Sequence, residues 1–174
     1  MNDIIYMFAM SLDGFIANED GSFDWLNDFP ANADFSFDTF MESVTGIIMG
    51  RDTYEVIRSE PTWPYPNIPS VVATRRPLDG LPDNTSHISG TPQEMLDAVR
   101  GMGASGRIWI MGGGNVAKQF LDAGLLDTVE IGTIPVILGK GIPAFGKSSQ
   151  HWLELQFAKA LKNGAVHSQY RVKR

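Results

Sequence analysis

Three short runs combine glycines, hydroxyls and arginines in a way that suits a phosphate. "IIMGRDTYE" places Gly50 between an apolar strand and a helix opened by Arg51, Asp52 and Thr53. A glycine there lets an anion approach the backbone, the free N–H groups and dipole of a helix start favour it, and Arg51 adds a charge-assisted hydrogen bond. The same run also suits a plain tight turn from strand to helix. "VVATRRP" sets Thr74, Arg75 and Arg76 just beyond another strand, one hydroxyl and two guanidiniums able to grip a phosphate monoester. "RIWIMGGGNVAKQF" passes through Gly112, Gly113 and Gly114 into a helix that begins Asn115–Val116. A pyrophosphate has room against such a backbone, and so does a helix packed closely on its strand. The run is neither a G-x-G-x-x-G fingerprint nor a P-loop. Taken together the three point to a dinucleotide, and the arginines point to the 2′-phosphate that separates NADP from NAD.

The elements that must position these runs follow from periodicity. Residues 3–10 read as a buried strand, and "SLDGFIANEDGSFDW" as a loop. Apolar residues at 35, 37, 40, 41 and 44 suit one face of a short helix capped by Asp34 or Asn32. "SVVAT" and "SHIS" read as strands, and "TPQEMLDAVRGMG" as a helix with Thr91, Pro92 and Glu94 forming its start. "LDTVEIGTIPVIL" reads as a long strand with an irregular middle, "LGKGIPAFG" as a turn. Asn163-Gly164 centres a hairpin between two alternating runs. Strands alternating with helices in this order argue for an α/β chain. Its central sheet is mixed but mostly parallel, of about eight strands, with helices on both faces and a C-terminal antiparallel hairpin. Ligands of such sheets bind outside the carboxyl ends of the strands.

Composition narrows the function further. The 174 residues are expected to form one domain over 1–174; 43% are hydrophobic and 20% charged, as in ordinary globular chains. With no cysteine, disulfides, thiolate metal sites and a Cys nucleophile are all excluded. A formal net charge of −6 disfavours nucleic acid and anionic membranes as partners. The N-terminus carries no basic leader pattern, so a cytoplasmic location is expected. His87, His151 and His167 lack metal-ligand spacing, and no metal site is expected.

The ordered set "MSLDGFIA", "IIMGRDTYE", "VVATRRP", "WIMGGGNVAKQFL" and "IPVILGKGIPAF" resembles the dihydrofolate reductase-like superfamily. The likeness is nearest to the reductase domain of riboflavin biosynthesis, the C-terminal half of the bifunctional deaminase–reductase, and it spans nearly the whole chain. It implies a three-layer dihydrofolate reductase-like fold and an NADPH-dependent reductase acting on a small heterocycle. The substrate so implied resembles 5-amino-6-(5-phosphoribosylamino)uracil; dihydrofolate reduction and a non-catalytic NADP(H)-binding module are the alternatives. It further implies that Gly50, Arg51, Asp52 and Thr53 meet the cofactor phosphates, and that Thr74, Arg75 and Arg76 surround the 2′-phosphate. Gly112 to Val116 would line the nicotinamide ribose and pyrophosphate, with a cis peptide between the glycines. Ala9, Ile16 and the loop to Trp25 would cover the nicotinamide, and a homodimer is expected.

Hydride transfer to a C=N or C=O group needs a proton at the neighbouring heteroatom. The resemblance to dihydrofolate reductases, which carry an acidic residue at the start of the first helix, implies Asp34 as the catalytic acid, since it stands at the same distance from the M-G-R segment; an ordinary helix cap is its other reading. Asp38, one turn on, is the reserve, and Trp25, Asp38 and Thr133 are expected on the substrate side. Gly132 stands where folate reductases carry a pterin-contacting threonine, so the substrate site departs from the usual pterin pocket.

Overall fold

The computed structural model describes residues 3–30 and 35–174. The chain opens with β1 (Ile4–Ser11), β2 (Phe15–Ala17), α1 (Asp24–Asn27), α2 (Phe37–Glu42), β3 (Val44–Gly50) and α3 (Arg51–Arg58). It continues through β4 (Ser70–Ala73), β5 (Thr85–Ile88), α4 (Pro92–Gly101), β6 (Arg107–Gly112) and α5 (Gly114–Asp122). It ends with β7 (Thr128–Ile134), β8 (Ile142–Pro143), β9 (Leu153–Ala160) and β10 (Val166–Val172). Eight strands form the main sheet in the order β5-β4-β3-β6-β1-β7-β10-β9. The pairs from β5 to β7 are all parallel; β10 pairs antiparallel with both β7 and β9.

Two apolar layers hold the helices to the sheet. On one face Met95, Leu96 and Val99 of α4 and Phe120 and Leu121 of α5 join Tyr6, Ile48, Val71 and Ile110. On the other, Phe40 of α2 and Tyr54 of α3 join Ile5, Ile47, Met49 and Trp109. Alternation along β1 sends its side chains to the two layers in turn, which is why both faces need cover. Among the described residues no helix is long and apolar enough to cross a membrane.

Local chemistry decides the element ends. Helix α4 has a full capping box: the Thr91 side chain accepts from the Glu94 amide, and the Thr91 amide donates to Glu94 Oε2 at 2.7 Å. Helix α2 is shorter than its periodicity suggests. Ser36 is its cap, extended at φ −108° and accepting from the Thr39 amide at 3.2 Å, while Asn32 and Asp34 lie outside the described residues. Strand β7 is regular throughout and stops before Pro135, which has no N–H to continue a ladder. The segment read as a turn contains β8, and the loop after β1 contains β2 and α1. The two short strands pair with each other across a long stretch of sequence. Gly164, at φ +92°, closes the expected hairpin.

Candidate active site

The sheet order reverses beside β1. Strands β3, β4 and β5 step away from it on one side, β6 returns to fill the gap, and β7 lies on the other side. That reversal opens a crevice at the carboxyl ends. Strands β1 and β6 pair only from Ile4–Ile108 to Tyr6–Ile110, whereas β1 and β7 stay paired to Ser11–Ile134. Beyond Tyr6 the two central strands therefore part.

The glycine-bearing runs meet at this rim. Pairing of Met49 with Gly112 and of Gly50 with Ala73 sets the ends of β6, β3 and β4 side by side. A Cβ on Gly50 would lie 3.3 Å from Val116 Cγ2 and 3.6 Å from the Gly113 nitrogen, so the starts of α3 and α5 stand together. Neither start has a side-chain cap: the N-cap residues are Gly50 and Gly113. Two adjacent sets of first-turn amides thus lack a side-chain acceptor, with both helix dipoles directed at one place.

The three glycines of the last run differ in their reasons. Gly112 has φ +152°, a conformation side chains rarely adopt, and the Thr53 hydroxyl lies 3.1 Å from where its Cβ would be. The peptide between Gly112 and Gly113 is cis. Gly113 faces open space. Gly114 is a packing glycine, because a Cβ there would sit 2.6 Å from the Ala144 carbonyl oxygen and 2.7 Å from that of Pro143. The Ala144 carbonyl is held by Tyr6, whose hydroxyl donates to it at 2.9 Å. Burial pushes the Tyr6 phenol well above its ordinary value, so it remains a donor.

The arginine turn adjoins the rim. The Thr74 hydroxyl donates to Arg76 O at 3.0 Å and accepts from the Arg76 amide at 3.2 Å, which folds the turn tightly after β4. Arg51 bridges to it, with Nη1 donating to Arg76 O at 3.5 Å and Nη2 lying 3.2 Å from Glu55. The side chains of Arg75 and Arg76 are exposed. Asp52 is exposed in the first turn of α3 and Asn115 is exposed in that of α5, while Val116 is buried beside Gly50. Glycines at two uncapped helix starts, beside exposed guanidiniums, fit the phosphates of a dinucleotide.

On the β1 side, Ile16 packs against the layer that contains Val116 and Ala144. Ala9 pairs with Gly132 on the opposite face, the one shared with α2. The Asp13 carboxylate accepts from the amides of Leu138, at 3.1 Å, and Gly139, at 2.7 Å, and so ties the β1–β2 loop to the segment after β7. The Ser11 hydroxyl and these two amides hold it below the usual carboxylate range.

The expected substrate residues are dispersed. Trp25 lies in α1, and its Nε1 is buried without a partner among the described residues. Asp38 is exposed on α2. Thr133 pairs with Met10, and both stand on the α5 face, across the sheet from Gly132. Asp34 lies outside the described residues.

A group the sequence did not single out lies beneath α2. Glu130 is 7% exposed, and its Oε1 and Oε2 lie 2.7 Å from His167 Nε2 and 2.7 Å from Gln169 Nε2. These three line a cavity of about 570 Å³, with Phe35, Thr39 and Phe40 on its other wall. The alternation of "VEIG" and "VHSQ" would have put all three on one face only if β7 and β10 were known to pair.

Comparison with known proteins matches this geometry. An uncharacterized Bacillus subtilis protein, YwjB, is 35% identical over 143 residues, covering 82% of this chain and 81% of its own. The structure of a putative riboflavin biosynthesis protein from Shewanella superposes with a TM-score of 0.85 at 29% identity, over the full length of both chains. Dihydrofolate reductase from Enterococcus faecalis, solved with NADP(H), superposes at 0.64 with 19% identity, covering 99% of this chain and 97% of its own, and shares the fold. Residues 2–166 match the RibD C-terminal domain, and the chain belongs to that family.

Proposed function

We propose that the protein is an NADPH-dependent reductase that delivers hydride to a small heterocyclic substrate. One observation carries the reading: two uncapped helix starts, at Gly50 and Gly113, converge beside the exposed Arg75 and Arg76. NADPH, when bound, supplies the hydride. The first-turn amides of α3 and α5 hold its phosphates, Arg75 and Arg76 pair with its 2′-phosphate, and Gly113 leaves the backbone approachable. Ala9 and the loop to Trp25 border the nicotinamide end and exclude water from it. Family membership and the folate-reductase fold support the same reading. A thermal-shift titration of ligand-free protein tests it. At a hundredfold excess over its dissociation constant, NADPH stabilises the fold by about 2.7 kcal/mol. A clear NADPH shift with little from NADH is expected; no shift with NADPH ends the reductase reading.

The protein is further proposed to act as a homodimer through β9. This edge strand is exposed along nearly its whole length, including Leu155 and Phe157. Antiparallel pairing of two copies centred between Gln156 and Phe157 sets Glu154 opposite Lys159 at both ends, a self-complementary arrangement.

A further inference from the structure

We propose that Glu130, His167 and Gln169 recognise the substrate ring, and that this ring is a planar nitrogen heterocycle presenting adjacent N–H donors and bearing no phosphate at that end. The proposal deepens the reductase reading and rests on it for naming the ligand a substrate; binding itself is tested without cofactor.

The register places the group next to the crevice. On the α2 face, Met7, Glu130 and Gln169 form one cross-strand row, and Ala9, Gly132 and His167 form the next row towards the carboxyl ends. The second row has almost no side chain over β1 and β7. A Cβ on Gly132 would meet nothing within 4 Å. Ala9 borders this open position on one side and the parting of β1 from β6 on the other. A flat ring lying over Ala9 and Gly132 therefore has its inner edge at Glu130 and its outer edge at the rim. The open cavity of about 570 Å³ is lined by Glu130, His167 and Gln169 and runs along α2 to Ser43 and Arg107; Gly132 and Ala9 adjoin it through their row with His167 rather than line it.

The chemistry of the inner edge is acceptor-rich. Each Glu130 oxygen accepts one bond, from His167 or Gln169, and keeps a lone pair for a second donor. Two such oxygens match a pair of adjacent N–H groups, as they match the fork of an arginine. A carboxylate only accepts, so its bond with His167 Nε2 is donated by the imidazole. The imidazole is itself fixed in place. Phe35 and Phe157 meet its ring edge-on at centroid distances of 5.0 and 4.9 Å. Aromatic walls at Phe35 and Phe40 suit a planar ligand.

The charge of the site excludes phosphate there. The one cation lining the cavity among the described residues is Arg107, whose Nε is on Asp3 at 2.9 Å and whose Nη1 is on Ser43 at 3.1 Å. Residues 31–34, Ala-Asn-Ala-Asp, contain no basic side chain. Lys159 pairs with His167 across β9 and β10 but is exposed at the sheet edge and does not line the cavity. A phosphate beside Glu130 would meet a carboxylate without a free cation to offset it.

The full chain offers a direct probe, since it has three histidines. Their imidazole resonances are followed while ligand-free protein is titrated with 2,4-diaminopyrimidine, and separately with uridine 5′-monophosphate. Diaminopyrimidine is expected to move the His167 signal and leave His87 and His151 in place; the nucleotide is expected to move none. Glu130→Gln should weaken the response at least tenfold. Should that variant not fold, Gly132→Val decides: it fills the open position without a clash, keeps the fold and should also lose at least tenfold. A stationary His167 signal, an equal response in Gly132→Val, or a response to the nucleotide as strong as to diaminopyrimidine overturns the proposal. NADPH fluorescence in the same samples separates the two readings. Bound NADPH with an unmoved His167 sinks this proposal alone, and a moved His167 without NADPH binding sinks the reductase reading alone.

Discussion

Arg76 and Gly114 illustrate two kinds of importance within one rim. A charge-assisted hydrogen bond contributes about 1.5–3 kcal/mol. Replacing Arg76 with Ala should therefore weaken NADPH binding by about ten- to a hundredfold while leaving NADH binding and stability unchanged. Fluorescence titration with both nucleotides checks this, and an equal loss for both would remove Arg76 from the 2′-phosphate site. Gly114→Ala should instead destabilise the fold by about 1–3 kcal/mol, because its Cβ would press on two backbone carbonyls, one of which, Ala144 O, is fixed by Tyr6. A denaturation midpoint unchanged from the parent would contradict that. The glycine rim was legible in sequence because each of its parts is local, a strand running directly into a helix. Glu130 was not, since its partners lie 37 and 39 residues away and reach it only through antiparallel register. The start of α2 at Ser36 sets the helix phase, which leaves Asp38 exposed and turns Thr39 and Phe40 towards the cavity.

At the level of elements, the start of α4 was readable, whereas the start of α2 and the paired short strands were not. The capping box of α4 is written within four residues, and Thr91→Ala should cost about 1 kcal/mol, read as a lower unfolding midpoint. Strands β2 and β8 have little periodicity of their own, and each exists because the other is beside it. Their neighbourhood is tied down by Asp13, and the tie should respond to acid. Its carboxyl sits below its ordinary value in the fold, so the link is fully present above about pH 3.9 and weakens only as pH falls through the lowered value. The amide resonances of Leu138 and Gly139 should titrate with a midpoint under 3.9. A midpoint at or above it would show that the carboxylate gains nothing from these bonds.

For the whole molecule, the alternation of strands and helices gave the sheet and its layers, while strand order stayed hidden, because order is a property of which edges meet. The order matters for assembly between copies as well as within one. An exposed β9 edge with Glu154 and Lys159 placed for mutual pairing should yield a dimer by light scattering, and Lys159→Glu should return it to monomer. A parent protein that is monomeric at working concentration would end that proposal.

The late return of β6 has a consequence for how the chain acquires its shape. Strand β6 occupies residues 107–112 yet lies between β1 and β3, which are made far earlier. Until it arrives, those two strands have no hydrogen-bonded neighbour in common, and the early sheet has an open seam in its middle rather than at its edge. During synthesis more than half the chain must therefore leave the ribosome before the centre can close. The loop closures involved are long, which slows folding and prolongs exposure of unpaired strand edges. The glycine rim needs the end of β6 beside β3, so it cannot form before the centre of the sheet closes.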